Sequence, residues 1–202
     1  MLTLYDYLDS GNGYKCRLLL AQRGITYTYV ECNIMQGETR TPQFLEKNPN
    51  GRIPALQIDD GPVLAESNAI LCWLADGTDF WPSERLAKAQ VLQWLFFEQY
   101  SHEPYVATPR FILRHLGRDH PRMAELPERL KKGRDALQVM ESHLQKQDFF
   151  VSNRYTIADI ALYAYTHRAH EADLDLTPYP AVRAWLTRVA AQPGHVKMLP
   201  GD

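Results

Sequence analysis

The apolar positions of this chain change their period once, near residue 80. Ahead of that point the apolar runs are short and β-prone, and Asp, Asn, Gly or Pro breaks them every few residues. Leu2–Tyr5 predicts a first strand. The polar break Asp9-Ser10-Gly11-Asn12-Gly13 follows, and Tyr14-Lys15-Cys16-Arg17-Leu18-Leu19-Leu20 opens a helix that Gly24 closes. Tyr27–Glu31, β-branched and aromatic, predicts a second strand. Thr41-Pro42 pairs an N-cap residue with proline at the first helical position, and Pro49-Asn50-Gly51 stops the short helix through Phe44 and Leu45. Ala55–Ile58 and Pro62–Ala65, joined by Asp59-Asp60-Gly61, predict a hairpin, and Ser67–Leu74 a last short helix. This order describes a layered α/β unit with a mixed sheet. Its first two strands run parallel through a crossover helix and its last two antiparallel.

Phe80-Trp81-Pro82-Ser83 interrupts the pattern, and strand signals cease after it. Leu86–Tyr100 places Ala87, Val91, Trp94 and Leu95 on one helical face, with Leu92 and Phe96 alongside. Helices are further expected at Tyr105–Leu116, Glu128–Lys146, Ile157–His167 and Pro180–Ala190, the last burying Val182, Trp185, Leu186 and Val189. Thr156-Ile157-Ala158-Asp159 reads as a capping box: Thr156 accepts from an amide of the first turn and Asp159 reaches back to the Thr156 N–H. The expected division is an α/β domain at 1–79, a linker at 80–85 and an all-helical domain at 86–202.

Composition narrows the function classes. The 22 Lys and Arg against 24 Asp and Glu give a net charge of -2, with no basic arm, so binding to nucleic acid through bulk charge is not expected. Hydrophobic residues form 45% of the chain, enough for a buried core. Three cysteines, Cys16, Cys32 and Cys72, are too few for a disulfide framework and point to a reducing compartment. The start lacks the basic and apolar regions of a secretory leader, and no run approaches 18 uncharged apolar residues. A cytoplasmic protein with no membrane partner is the expectation.

The seven histidines are scattered. His167 and His170 share a helical spacing with Glu171 beside them, but no further ligands converge, so no metal is expected. Phosphate-loop, dinucleotide and Cys-x-x-Cys patterns are all absent. Three loop features remain. Ser10-Gly11-Asn12-Gly13 joins the first strand to the first helix, where free amides and the helix dipole favour an anion; a turn or cap is the plainer role for Ser10. Arg52-Ile53-Pro54-Ala55 puts proline before a strand, and a cis bond there would turn the Ile53 backbone away from sheet pairing. Ala65-Glu66-Ser67-Asn68 precedes the third helix, which Ser67 can cap, and the same hydroxyl and amide can hold a carboxylate.

These segments, together with Phe44–Leu56 and the capping box, resemble in order and spacing a cytosolic glutathione transferase of the bacterial, serine-type kind, across the whole chain. The resemblance implies a thioredoxin-like N-terminal domain with a mixed four-stranded sheet, followed by an all-helical C-terminal domain. It implies glutathione as co-substrate, and a small hydrophobic electrophile as the second substrate. Pro54 matches the family's cis-proline, and Ile53 the residue whose backbone pairs with the cysteinyl group. Glu66 and Ser67 match the pair on the γ-glutamyl group, and Arg40 and Arg52 are candidates for the glycyl carboxylate. Ser10 matches the donor to the sulfur, with Asn12 assisting and Tyr7 as the rival donor. A serine hydroxyl is too weakly acidic to act as a base, so its work is to hydrogen-bond a thiolate. Many relatives carry cysteine where this chain has Gly13. The electrophile site is expected between the domains, lined by Tyr105, Thr108, Pro109 and Phe111. The family pattern also implies a homodimer, for which Trp94, Leu95, Phe97 and Tyr100 offer apolar surface. A non-catalytic binding or interaction module with the same fold is the alternative.

Overall fold

The structure, a computed structural model, describes residues 1–201. It resolves into two compact units, Met1–Gly77 together with the stretch from Pro193 onward, and Thr78–Gln192. In the first unit β1 (Leu2–Asp6), α1 (Gly11–Gln22) and β2 (Tyr27–Glu31) form a parallel crossover. Two 3-10 turns, Ile34–Gln36 and Glu38–Arg40, lead to α2 (Pro42–Lys47), then β3 (Ala55–Ile58), β4 (Val63–Ala65) and α3 (Ser67–Ala75). The sheet order is β2-β1-β3-β4, with β3 antiparallel to both β1 and β4. The expected mixed four-stranded sheet is therefore present.

Local chemistry accounts for the boundaries. Thr41 caps α2, its hydroxyl accepting from the Phe44 N–H (3.4 Å), with Pro42 in the first turn. α1 starts at Gly11, three residues before the apolar pattern does, because Ser10 caps it. Leu18, Leu19 and Leu20 are all fully buried. Three successive helical residues span about 200° of the circumference, so α1 is covered on most of its faces. Leu4 and Leu56 from the sheet and Ile70, Leu71 and Leu74 from α3 complete this core.

Residues from Pro193 onward group with the first unit, whereas sequence reading carries the helical domain through to 202. Buried donors on α1 explain the difference: the Tyr14 hydroxyl donates to the Val196 carbonyl (2.7 Å) and Arg17 Nη1 to the Met198 carbonyl (2.9 Å). Buried polar groups need partners, and no hydrophobic period marks a segment held by its carbonyls.

The second unit holds α4 (Arg85–Phe97), α5 (Glu103–Phe111), α6 (Leu126–Leu144), α7 (Ile157–Thr166) and α8 (Pro180–Ala190). Between α4 and α5 the chain stays helical through a π turn at Glu98–His102, and a second π turn, Ile112–Leu116, continues α5. Two separate helices were expected. Pro104 has no N–H and crowds the carbonyl of Tyr100, which lies inside the first widened turn, so the π geometry absorbs the proline without ending the helix. On α4 the expected buried face holds: Ala87, Val91, Trp94 and Leu95 are buried. The dimer expectation thereby loses Trp94 and Leu95, which pack inside their own unit.

α7 is buried along its whole length. The capping box is formed as expected: the Thr156 hydroxyl accepts from the Ala158 N–H (3.3 Å), and the Thr156 N–H donates to Asp159 (2.9 Å). Asp159 does more than cap. Its other oxygen accepts from the Phe150 N–H (3.2 Å) and from Trp185 Nε1 on α8 (2.9 Å). Burial raises its carboxyl to about 6 against the opposing pull of these donors. Asp159→Ala should therefore cost more than an ordinary cap loss of about 0.5–2 kcal/mol, because several buried donors lose their acceptor together. With about 1–3 kcal/mol for a buried donor left unsatisfied, a loss of about 3–5 kcal/mol in urea denaturation is expected, and a loss below about 1 kcal/mol would show that the contacts to Phe150 and Trp185 carry no weight.

Candidate functional site

Strand register gathers three of the sequence-identified loops at one end of the sheet. Tyr5 on β1 pairs with Ala55 on β3, and Ala55 pairs with Ala65 on β4. The Tyr7–Ser10 loop, the Ile53-Pro54 step and the Glu66-Ser67 corner therefore all flank that edge of the sheet.

Ser10 has extended backbone angles and caps α1. Its Oγ accepts from the Gly13 N–H at 3.4 Å, its N–H donates to the Tyr7 carbonyl (2.8 Å), and its carbonyl accepts from the Tyr14 N–H (2.9 Å). A hydroxyl that accepts from an amide still has its own hydrogen to donate. The two roles open to Ser10 in the sequence, cap and donor at a helix start, are thus compatible in one geometry.

Beneath this loop lies Asp6, fully buried, accepting from the Tyr7 N–H (2.7 Å) and from Arg17 Nε (3.0 Å). Arg17 Nη2 also donates to the Leu8 carbonyl (2.7 Å). Burial pushes the Asp6 carboxyl up to about 7, with the Arg17 guanidinium opposing it. The carboxylate occupies the space beside Gly13: a β-carbon there would lie 1.5 Å from Asp6 Oδ1. Gly13 is glycine for this reason, and a cysteine at that position is sterically excluded while Asp6 keeps its place.

The corner into α3 departs from expectation. Sequence reading makes Ser67 the cap, but Glu66 holds that position at φ 68°, ψ 114°, with no side-chain cap bond. A left-handed non-glycine residue costs about 1–3 kcal/mol and often marks a functional corner. The turn at Glu66 brings Ser67 inside the helix as its first residue, buried, so its hydroxyl reaches across to α1 instead of back to its own amides. There it donates to Asn12 Oδ1 (3.4 Å) and accepts from Lys15 Nζ (3.3 Å). Lys15 is fully buried and was not singled out in the sequence. Its one signal is a lysine in the second turn of a helix whose later positions are apolar.

The Ile53–Pro54 peptide is cis and Pro54 is buried. Ile53 precedes the paired residues of β3, and its side chain packs against Cys32, Phe44 and Ala55. Arg40 Nη1 donates to the Asn50 carbonyl (3.1 Å) and lies against Gly51, whose φ is +62°. Arg52 is exposed, and its carbonyl accepts from Asn48 Nδ2 (2.8 Å). Tyr7 is half-buried, whereas Tyr5 is committed to the sheet, its hydroxyl donating to Gln57 Oε1 (3.0 Å). In the second unit Tyr105, Thr108 and Phe111 follow one half-buried face of α5 at three-residue spacing, while Pro109 is buried. Among the described residues no group of three or more His, Cys, Asp or Glu is placed to hold a metal ion, and no helix is long and apolar enough to cross a membrane.

A mixed four-stranded sheet with a serine-capped first helix, a cis-proline before β3 and a positive-φ Glu66 before α3 defines a thioredoxin-like domain. Residues 1–76 match the family model of the glutathione S-transferase N-terminal domain and residues 94–193 that of the C-terminal domain, and the chain belongs to this family. A crystal structure of a glutathione S-transferase from Pseudomonas fluorescens is 50% identical, with a TM-score of 0.96 over 98% of this chain and 99% of that one. The disulfide-bond oxidoreductase YfcG of Escherichia coli is 29% identical over 96% of this chain and 92% of its own length. The glutathione transferase URE2P6 of Phanerochaete chrysosporium, solved in complex with oxidised glutathione, is 28% identical, with a TM-score of 0.85 over 96% of this chain and 92% of that one.

Gly13→Ala should be destabilising, opposite in sign to the gain of about 0.5–1 kcal/mol that alanine ordinarily brings in place of glycine inside a helix. The added methyl must displace a carboxylate that is locked by Arg17 and the Tyr7 amide, so a loss of about 3 kcal/mol is expected. Urea denaturation measures it, and an unchanged midpoint would mean that Asp6 moves aside freely.

Proposed function

We propose that the first unit binds glutathione and stabilises its thiolate for attack on a small hydrophobic electrophile. The observation that carries this reading is the meeting of Asn12, Lys15 and Ser67 on the same end of α1 that Ser10 caps. In this reading Ser67 meets the γ-glutamyl carboxylate and Glu66 its ammonium group. The Ile53 backbone, turned out of the sheet before cis-Pro54, pairs with the cysteinyl group. Arg40 and Arg52 receive the glycyl carboxylate. Ser10 donates to the sulfur, with Asn12 and the α1 amides beside it. An ordinary thiol titrates near 8.5, and each unit of lowering is about 1.4 kcal/mol in favour of the anion. The thiol proton passes to solvent, the thiolate forms the carbon–sulfur bond, and any leaving group departs with its bonding pair. Tyr105, Thr108 and Phe111 are the proposed electrophile contacts of the helical unit, and the free cysteines suit a cytoplasmic setting.

The likeness to a disulfide-bond oxidoreductase favours a second reading of the same site, in which the thiolate attacks a disulfide sulfur and a second glutathione releases the product with oxidised glutathione. The protein's own thiols are poorly suited to that exchange: Cys16 and Cys32 are buried, Cys72 is half-buried, and burial pushes all three thiols up.

Ser10→Ala should keep glutathione affinity within about threefold and lower turnover by about one to two orders of magnitude, the worth of a charge-assisted hydrogen bond of roughly 1.5–3 kcal/mol. Tyr7→Phe should change little. Thiolate absorbance of the glutathione complex against pH, read for the parent and both variants, checks this. An upward shift in Tyr7→Phe alone would hand the role to tyrosine, and glutathione binding without turnover of any electrophile or disulfide would favour the non-catalytic module.

We further propose a homodimer. Leu92, Phe96 and Tyr100 recur every four residues along α4 and its π turn, and they are 38%, 69% and 83% exposed. Sedimentation should give twice the chain mass of 23.3 kDa, and Phe96→Glu should bring it down to the single-chain value. A parent sedimenting at the single-chain mass would remove the dimer.

A further inference from the structure

We infer that Lys15 is the buried positioning cation of the glutathione site, setting Ser67 as a hydrogen-bond donor and selecting the α-carboxylate at the γ-glutamyl end. The inference rests on the glutathione reading above and names a residue and a ligand group within it. A lysine ammonium is seldom fully buried, because removal from water is costly unless partners compensate. Lys15 is fully buried on α1, and its Nζ donates to Ser67 Oγ at 3.3 Å.

The consequence follows from the inventory of a hydroxyl, which has one hydrogen and two lone pairs. With Lys15 donating to a lone pair, the Ser67 hydrogen points elsewhere, and its acceptor is Asn12 Oδ1 at 3.4 Å. That is a long bond to a neutral amide. A carboxylate oxygen accepts more strongly than an amide, and an anion, being an acceptor only, needs a donor. A serine free to rotate offers it either face, whereas Lys15 holds Ser67 in the donating state. The same ammonium places a positive charge one hydrogen bond behind the carboxylate, in surroundings where charge is weakly screened. When the Ser67 hydrogen turns to the ligand, Asn12 Oδ1 is released from it, which links the glutamyl end of the site to the residue two positions after Ser10.

The test compares two ligands on the whole protein: glutathione, and 4-aminobutyryl-cysteinylglycine, which lacks only the α-carboxylate. Calorimetric titration of the parent should favour glutathione by about ten- to a hundredfold, the worth of a charge-assisted hydrogen bond. In Lys15→Met the preference should fall to about threefold or less. Affinity for the truncated ligand should stay within about threefold of the parent. Lys15→Arg, which keeps the charge, should restore part of the preference, and Lys15→Gln, which keeps a donor without charge, should not. If Lys15→Met does not fold, the Lys15→Gln and Lys15→Arg pair decides the matter by the same ratio. A Lys15→Met protein that retains the parent's preference, or that loses both ligands equally, overturns the proposal and leaves Lys15 a purely structural bridge. A parent that binds glutathione and its truncated form equally overturns it as well. A parent that binds neither removes the glutathione reading itself, and this proposal with it.

Discussion

The buried pair Asp6–Arg17 is the constraint on which the first unit depends. Asp6 ends β1, Arg17 stands in the middle of α1, and the segment between them carries Ser10, Asn12 and Gly13. A guanidinium presents several donors in a rigid fork. Here one goes to the Asp6 carboxylate, one to the Leu8 carbonyl within the loop, and one to the Met198 carbonyl from the far end of the chain. One carboxylate and two backbone carbonyls are thus referred to a single side chain. Burying two charges is costly and packing alone often stabilises as well. What the pair supplies is position: the loop that carries Ser10 is held from below, and the Asp6 carboxylate takes the space any side chain at position 13 would need.

Around that fixed point the site is assembled by register and local strain. The alignment of Tyr5, Ala55 and Ala65 carries three loops to one edge of the sheet, and a shift of one residue in any strand would reverse its faces. The positive φ of Glu66 is unfavourable by itself, and it persists because α3 immediately buries Ile70, Leu71 and Leu74. Ser67 shares one face of α3 with Ile70, Leu71 and Leu74, so the core packing of that face also holds the corner that presents Ser67 to Asn12 and Lys15.

The helical unit uses a related device at Asp159. One carboxylate serves the start of α7, the loop amide of Phe150 and the indole of Trp185, so a capping residue also ties neighbouring segments together. Both units thus place a buried carboxylate at the end of an element and surround it with donors from elsewhere in the chain.

The sequence by itself determined what depends on short-range chemistry. The alternation of strand and helix, the Thr41 and Thr156 caps, the hairpin at 59–61 and the buried faces of α4 and α8 all follow from residues a few positions apart. Serine and proline are ordinary loop and cap residues, so Ser10, Pro54 and Ser67 stood out only by their places between successive elements and by the resemblance that order carries. Only the tertiary structure decided which of them meet. Ser67 loses its cap role to a neighbour's positive φ, and Lys15 meets its hydroxyl through a contact across 52 positions of sequence. Residues past Pro193 join the first unit through backbone carbonyls, which carry no side-chain signature. Hydrophobic period and capping are local and so can be read along the chain; partners for buried charges and hydroxyls are chosen by the packing of distant elements, and only the folded chain brings them together.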